Sequence, residues 1–356
     1  MSLPLLSSAV CLVAWALADP SPAPPQAGNH RLVDAVIYAT RSDNRLHMVD
    51  AKDLSPICSL NADLGAHETA VSSDGRWAVG SAYGGPGPGH QPADNRIAVL
   101  DLSAASVHRI IDLAEIKRPN DAAFIPGSSE FIVTAEVPPR LLRISAETGS
   151  VKAIELTNPT GHMLALNPNG DAAYVSHVLP GKLTFIDLRA NRQSHTISLP
   201  AGAEGIACSP DGGTIWVASN RSDSISIVDT AKREVTETLE CAGFPFRLRF
   251  SKDGSRVAVT CPNTAEVAIF DAEKRAEIGR IKLSTANSAP APVPTGIAFT
   301  PSGDSIAVLC EGRSPEIVLI DIAARSVRTR VRIAEGLPDA LSSARVRVPV
   351  PPAAGN

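Results

Sequence analysis

A period of about 42 residues governs this chain. The stretch "IACSPDGGTIWVASNRSDSISIVDTAKREV" (206–235) recurs in altered form as "LRFSKDGSRVAVTCPNTAEVAIFDAEKRAEI" (248–278). Each copy reads as an apolar strand, a Gly turn, a second apolar strand, a polar loop, a third strand ending in Asp, a short turn and a fourth strand. Turn anchors fall at Gly75, Ser128, Gly170, Gly212, Gly254 and Gly303, spaced 53, 42, 42, 42 and 49. Third-strand endings fall at Asp50, Asp101, Ser145, Asp187, Asp229, Asp271 and Asp321, spaced 51, 44, 42, 42, 42 and 50. Four short strands per period is the signature of a propeller blade. Seven endings against six anchors mean that the chain enters at the second strand of one blade, at "AVIYAT". The inner strand of that blade must come from the far end, near "GLPDALSSARV", which closes the ring and leaves no bare edge. The fold expected is all-β: a seven-bladed propeller over residues 33–345, four antiparallel strands per blade, then a disordered tail at 346–356.

The unit "SPDGGTIWVASNRSDSISIVD" (209–229) resembles the repeat of the YVTN-type β-propellers, roughly S-P-D-G-x-x-x-Y-V-x-N followed by V-x-V-I-D. The resemblance spans about residues 33–345. It implies a propeller fold and, since propellers of one shape host many activities, little about chemistry. The blade containing "IPGSSEFIVTAE" departs most, with Ser128 in place of the turn Gly and Ser145 in place of the Asp.

The repeat allows equivalent positions to be compared within the one sequence. Eight residues before each anchor stand His67, Asn120, His162, Glu204, Phe246 and Thr295; four before stand Val71, Phe124, Leu166, Cys208, Phe250 and Phe299. The second set is apolar and reads as core between blades. The first shares its parity, hence its sheet face, and its polarity places it where that core opens to water at the start of the inner strands. Four consecutive blades thus present His, Asn, His and Glu around one channel mouth. Seven residues after each anchor stand Ala82, Ala135, His177, Ser219, Cys261 and Cys310, and a regular hairpin would set His177 opposite His162. The insertions "GGPGPGHQPADN" (84–95), carrying His90, and "STANSAPAPVP" (284–294) emerge on the same face.

His67, His162 and Glu204, with His177 or Asn120, would suit a divalent transition metal. The same groups without metal would supply a general acid and base, and ordinary polar residues at a wet channel mouth would look no different. Glu68 and Asp121 fall one residue further along and are expected on the opposite strand face, as structural carboxylates orienting a histidine. Arg247 has the same phase: it would bind an anionic ligand group or pair with a neighbouring acid. Arg221 and His90 are ligand-binding candidates on the loops of that face.

The start of the chain reads as an export signal. "LLSSAVCLVAWALA" is apolar and ends in the small-residue pattern Ala16-Leu17-Ala18, with no Lys or Arg before it. Residues 1–18 are expected to be removed and 19–32 to form a flexible linker, which places the protein in the periplasm or outside the cell. Of 6 cysteines, Cys11 lies in the signal and 6 − 1 = 5 remain, with no CxxC spacing. Cys261 and Cys310, in equivalent strands of neighbouring blades, are too far apart to join. The net charge of −4 and 4% aromatic content argue against a nucleic-acid binder, and no later stretch is long and apolar enough for a membrane helix.

Three functions are consistent with these residues. One is an exported propeller binding a small molecule at the channel mouth, with or without metal-assisted lyase, hydrolase or isomerase chemistry. The inner-strand histidines resemble those of a YVTN-like subgroup, which would also have His at Asn120. A second is a non-catalytic binding or scaffold protein of the cell envelope, its partner another envelope protein. A third is a lactonase: "EGIACSPDGGTIWVASNRSDSISIV" is similar to a stretch of the propeller-type phosphogluconolactonases, which implies a lactone near His67, Glu204 and Arg221. Those enzymes are generally not exported.

Overall fold

A computed structural model describes residues 30–85, 92–285, 290–333 and 338–350. Alternating apolar runs separated by tight turns give seven sheets of four antiparallel strands. The inner strands are Pro338–Pro349 in blade 1, Glu68–Val71 in blade 2, Lys117–Phe124 in blade 3, Gly161–Leu166 in blade 4, Ala203–Cys208 in blade 5, Leu248–Phe250 in blade 6 and Val293–Phe299 in blade 7. Each packs against the next, and Pro338–Pro349 fills the place between blades 7 and 2, so the ring is complete. The all-β seven-bladed propeller is therefore the fold.

Blade 1 is assembled from both ends of the chain. The strand His30–Thr40 pairs antiparallel with Pro338–Pro349, from His30 against Pro349 to Thr40 against Pro338. Pairing thus begins before residue 33 and runs past 345, into segments expected to be linker and tail. Arg345 supports the joint with a two-pronged ion pair to Asp34, at 2.6 and 3.1 Å. The export segment lies outside the described residues.

The repeated Ser-x-Asp-Gly turn has a chemical reason. In blade 2 the Ser72 hydroxyl donates to Asp74 at 2.6 Å and accepts the Trp77 amide at 2.9 Å. Blade 6 repeats this with Ser251, Asp253 and Arg256. These bonds hold the turn open enough for a residue with positive φ, supplied by Gly75 at +70°. In the divergent blade 3 the positive φ moves to Gly127, and Ser128 instead accepts the Glu130 amide. At the third-strand ends, Asp187 and Asp229 each accept two amides of the following turn; Ser145 does the same for Thr148.

Between blades lie the apolar clusters that hold them together, such as Phe131, Val133 and Leu142 against Trp77 and Val99. The outermost strands are largely exposed.

Gly75 also touches the closing strand. A Cβ there would sit 2.1 Å from the Arg345 carbonyl oxygen, whereas one on Gly303 would meet nothing within 4 Å. Gly75→Ala should destabilise by about 3 kcal/mol or more, against about 1 kcal/mol for Gly303→Ala, from φ strain alone. Urea denaturation of the two variants checks the difference.

Candidate functional site

The inner strands of blades 3, 4, 5 and 7 do not pair regularly with their neighbours. A β-bulge sits near the start of each, so Pro119 faces Ala135, Gly161 faces His177, Ala203 faces Ser219 and Pro294 faces Cys310. Two residues of the inner strand oppose one of its partner. This corrects the expected hairpin: His177 lies opposite Gly161, not opposite His162. Its ring is fully buried, bonded through Nδ1 to the Pro159 carbonyl and through Nε2 to Thr184, both at 2.8 Å. Burial, with Lys182 nearby, holds its pKa below the usual value. His177 is a core residue outside the central cavity.

The residues that share the channel mouth with His67, His162, Glu204, Phe246 and Thr295 are those eight, not seven, positions after the anchors: Tyr83, Glu136, Val178, Asn220 and Glu311. Together they line a funnel of about 600 Å³ at the centre of the ring. Glu136 and Tyr83 escaped the sequence reading because the residue seven after each anchor was taken as the one facing the mouth; counting one residue further along each repeat would have found them. Asn120, at the equivalent position in blade 3, is fully buried, with its amide against the His162 ring.

The hydroxyl six positions after an anchor fastens the bulged segment of the following blade. Ser81 donates to the Asn120 carbonyl, Thr134 to the His162 carbonyl at 2.7 Å, and Ser176 to the Glu204 carbonyl at 2.7 Å. Each buried carbonyl exposed by the bulge thereby gains a partner from the neighbouring sheet.

The funnel floor is a chain of charges. His162 Nε2 lies 3.0 Å from Glu204 and its Nδ1 3.2 Å from Glu136, which in turn accepts the Tyr83 hydroxyl at 2.8 Å. Arg247 bridges Glu204 at 2.7 Å and Glu68 at 3.0 Å, its guanidinium also resting on the Phe246 ring. Burial alone would push His162 down, but the Glu204 carboxylate and the hydrogen bonds to Glu136 and Glu204 outweigh it and raise it to about 10. Glu204 is shifted the other way: burial would raise it, while His162 and then Arg247 hold it at about 2. Beside the Glu136 carboxylate, the Asn120 amide nitrogen stands 2.5 Å from Nδ1; since two donors do not pair, a half-turn of the amide would bring Oδ1, otherwise without a partner, against the charged ring.

Glu68 was expected on the strand's other face, orienting a histidine. It lines the funnel and pairs with Arg247 instead. Glu68 opens its strand, and Phe246 and Arg247 precede theirs, so the alternation of faces has not begun there. Asp121 is buried beneath the floor, accepting the Leu164 amide at 2.9 Å. Burial and the Glu68 carboxylate raise its pKa.

A metal set of His67, His162 and Glu204 is not assembled. Both His162 nitrogens are engaged and carry protons, whereas a ligating imidazole must be neutral with a free nitrogen. His67 lies against the Tyr83 ring, centroids 4.9 Å apart. Among the described residues no three His, Cys, Asp or Glu side chains are placed to share a cation. Arg221 stands exposed at the funnel rim and Gly85 of the first insertion also lines it, while His90 lies outside the described residues.

No protein-family model and no curated protein matches this sequence. Among solved structures the chain is similar to a functionally unknown protein from Desulfotomaculum acetoxidans DSM 771, at 14% identity and a TM-score of 0.71, over 88% of this chain and 99% of that one. It is also similar to the Kuenenia stuttgartiensis hydrazine synthase, at 14% identity and a TM-score of 0.64, over 90% and 99% of the two chains. These likenesses establish the propeller architecture. Among the described residues no helix is long and apolar enough to cross a membrane.

The His162 ion pairs link stability to pH. Its folded pKa lies above the ordinary 6.5, so its contribution is complete below that value and is lost as pH rises through about 10. His162→Gln should lower the melting temperature near pH 6 and flatten its decline between about pH 7 and pH 10; thermal unfolding across that range reads both effects.

Proposed function

We propose that this chain is an exported, YVTN-type propeller that binds a small molecule in its central funnel without acid–base chemistry at His162. The observation that carries this reading is the funnel itself, whose volume of about 600 Å³ suits a small ligand and whose walls are of two kinds. Val178, Leu179, Phe244 and Leu341 give it apolar surface from several blades. Leu179 is 45% exposed, an unusual investment of apolar surface at a rim. Beside it stand Arg221 and Asn220, the latter nearly buried with an amide oxygen that has no partner. A ligand with an apolar body and an anionic end would meet the apolar surface and the Arg221 guanidinium, and an N–H or O–H on the same ligand would serve the Asn220 oxygen.

The floor supports binding over catalysis. At neutral pH His162 and Glu204 form an ion pair, with Glu204 held near 2 and His162 near 10. Neither is poised to take a proton from a substrate or a water. Lactone hydrolysis through His67, Glu204 and Arg221 is disfavoured for the same reason. Export rests on residues 1–18, and the YVTN kinship on the repeat.

The test is a thermal-shift panel of medium-chain carboxylates, their matching amides and lactones on the purified protein. A carboxylate is expected to raise the melting temperature, and Arg221→Ala to weaken its binding about tenfold with the fold intact. Turnover of a lactone that disappears in Glu204→Gln would overturn the reading in favour of a hydrolase. No shift with any compound would leave the funnel without a ligand of this class.

A further inference from the structure

Outside the funnel, the seam between blades 5 and 6 holds two fully buried thiols. Cys241 directly follows the outermost strand of blade 5 (Glu234–Glu240), and Cys261 ends the second strand of blade 6 (Arg256–Cys261). Their Sγ atoms are 3.9 Å apart. Among the described residues no other cysteine sulfur has such a neighbour: Cys58, Cys208 and Cys310 have other surroundings, and Cys310 belongs to a different core cluster from Cys261. A disulfide requires about 2.05 Å, so each sulfur need swing by only about 1 Å, which a modest rotation about Cα–Cβ supplies.

The chemistry around the pair favours the reaction. A guanidinium nitrogen of Arg280 lies 3.9 Å from Cys241 Sγ. The hydrogen bond from Cys241, followed by the Arg280 charge, lowers the Cys261 thiol, while burial pushes those of Cys58, Cys208 and Cys310 up. The thiolate is the attacking species in disulfide exchange. The seam also lacks the hydroxyl fastening found between blades 2 and 5, because the equivalent residue of blade 5 is Ala218. The segment linking the two cysteines to the inner strand contains Gly243 and Phe244, both at positive φ, and no regular strand.

We infer that Cys241 and Cys261 form an inter-blade disulfide when the protein meets a disulfide oxidant. With glutathione disulfide, the Cys261 thiolate, reached when the seam between blades 5 and 6 opens, attacks one sulfur of the oxidant and expels a glutathione thiolate. The Cys241 thiol, losing its proton, then attacks the Cys261 sulfur and expels the second. The two cysteines lose two protons and two electrons, which convert one glutathione disulfide into two thiols. The bond encloses a loop of about 20 residues (|i−j| = 20) and joins the last strand of one blade to the second strand of the next.

The test equilibrates the full folded protein with oxidised glutathione, then alkylates it under denaturing conditions and maps the peptides without reduction. A cross-linked Cys241–Cys261 peptide is expected, two hydrogens lighter than its reduced form, with Cys58, Cys208 and Cys310 alkylated. The oxidised protein should melt about 5 °C higher than the dithiothreitol-treated one, and Cys241→Ser should remove that difference. If this variant does not fold, the comparison of oxidised and reduced native chain still decides. Alkylation of Cys241 and Cys261 equal to that of Cys58, Cys208 and Cys310, or a cross-link from Cys261 to Cys310, overturns the inference.

Discussion

Closure of the ring is the constraint on which every other feature rests. A propeller blade buries both faces only against two neighbours, so an open array would leave two large apolar faces in water. Here the last neighbour is made by joining residues near the two ends of the chain, with Ala35 against Ala344 and Val36 against Ser343. The turn glycine of the adjacent blade is fitted to the same strand, since the Arg347 amide donates to the Gly75 carbonyl at 2.9 Å. The funnel exists only once this joint is made: Leu341, on the closing strand, forms part of its wall.

Within the closed ring, charge takes the place that apolar side chains hold elsewhere. Inner strands converge on the axis, leaving little room and much exposed backbone, and charged groups there must find one another. Five blades contribute to one connected path: Tyr83 to Glu136, Glu136 to His162, His162 to Glu204, and Glu204 through Arg247 back to Glu68 in blade 2. Such a path is costly to break at any point, since removing one partner strands the next in a dry setting.

The architecture was legible because a period is independent of any single residue: Ser128 and Ser145 broke the consensus without hiding the repeat. The ring at the mouth was legible too, as His67, His162 and Glu204 all reach the funnel from equivalent positions. What the period conceals is local register. One extra residue at the bulge moves His177 into the core and brings Glu136 to the cavity, because side-chain direction alternates with every residue. Partner choice was likewise hidden. Whether Arg247 meets a ligand or an acid depends on Glu68, which is 179 residues away in sequence.

The hydroxyls that reach from one sheet to the next divide the funnel into two mechanical halves. Ser81, Thr134 and Ser176 pin the backbone at Asn120, His162 and Glu204, so the ionic side is anchored at the carbonyls of its own charged or polar residues. Phe246 follows Ala218 around the ring, and no hydroxyl in that position reaches it. The segment with Phe244 and Phe246 thus lacks this form of tether. It is held instead from elsewhere: the Phe246 amide donates to the Thr260 carbonyl of its own sheet at 2.9 Å, the Phe244 amide donates to Asp223 at 2.8 Å, and the Arg247 guanidinium rests on the Phe246 ring, so one stretch of the funnel is pinned by hydroxyls of neighbouring sheets and the next by backbone bonds and stacking.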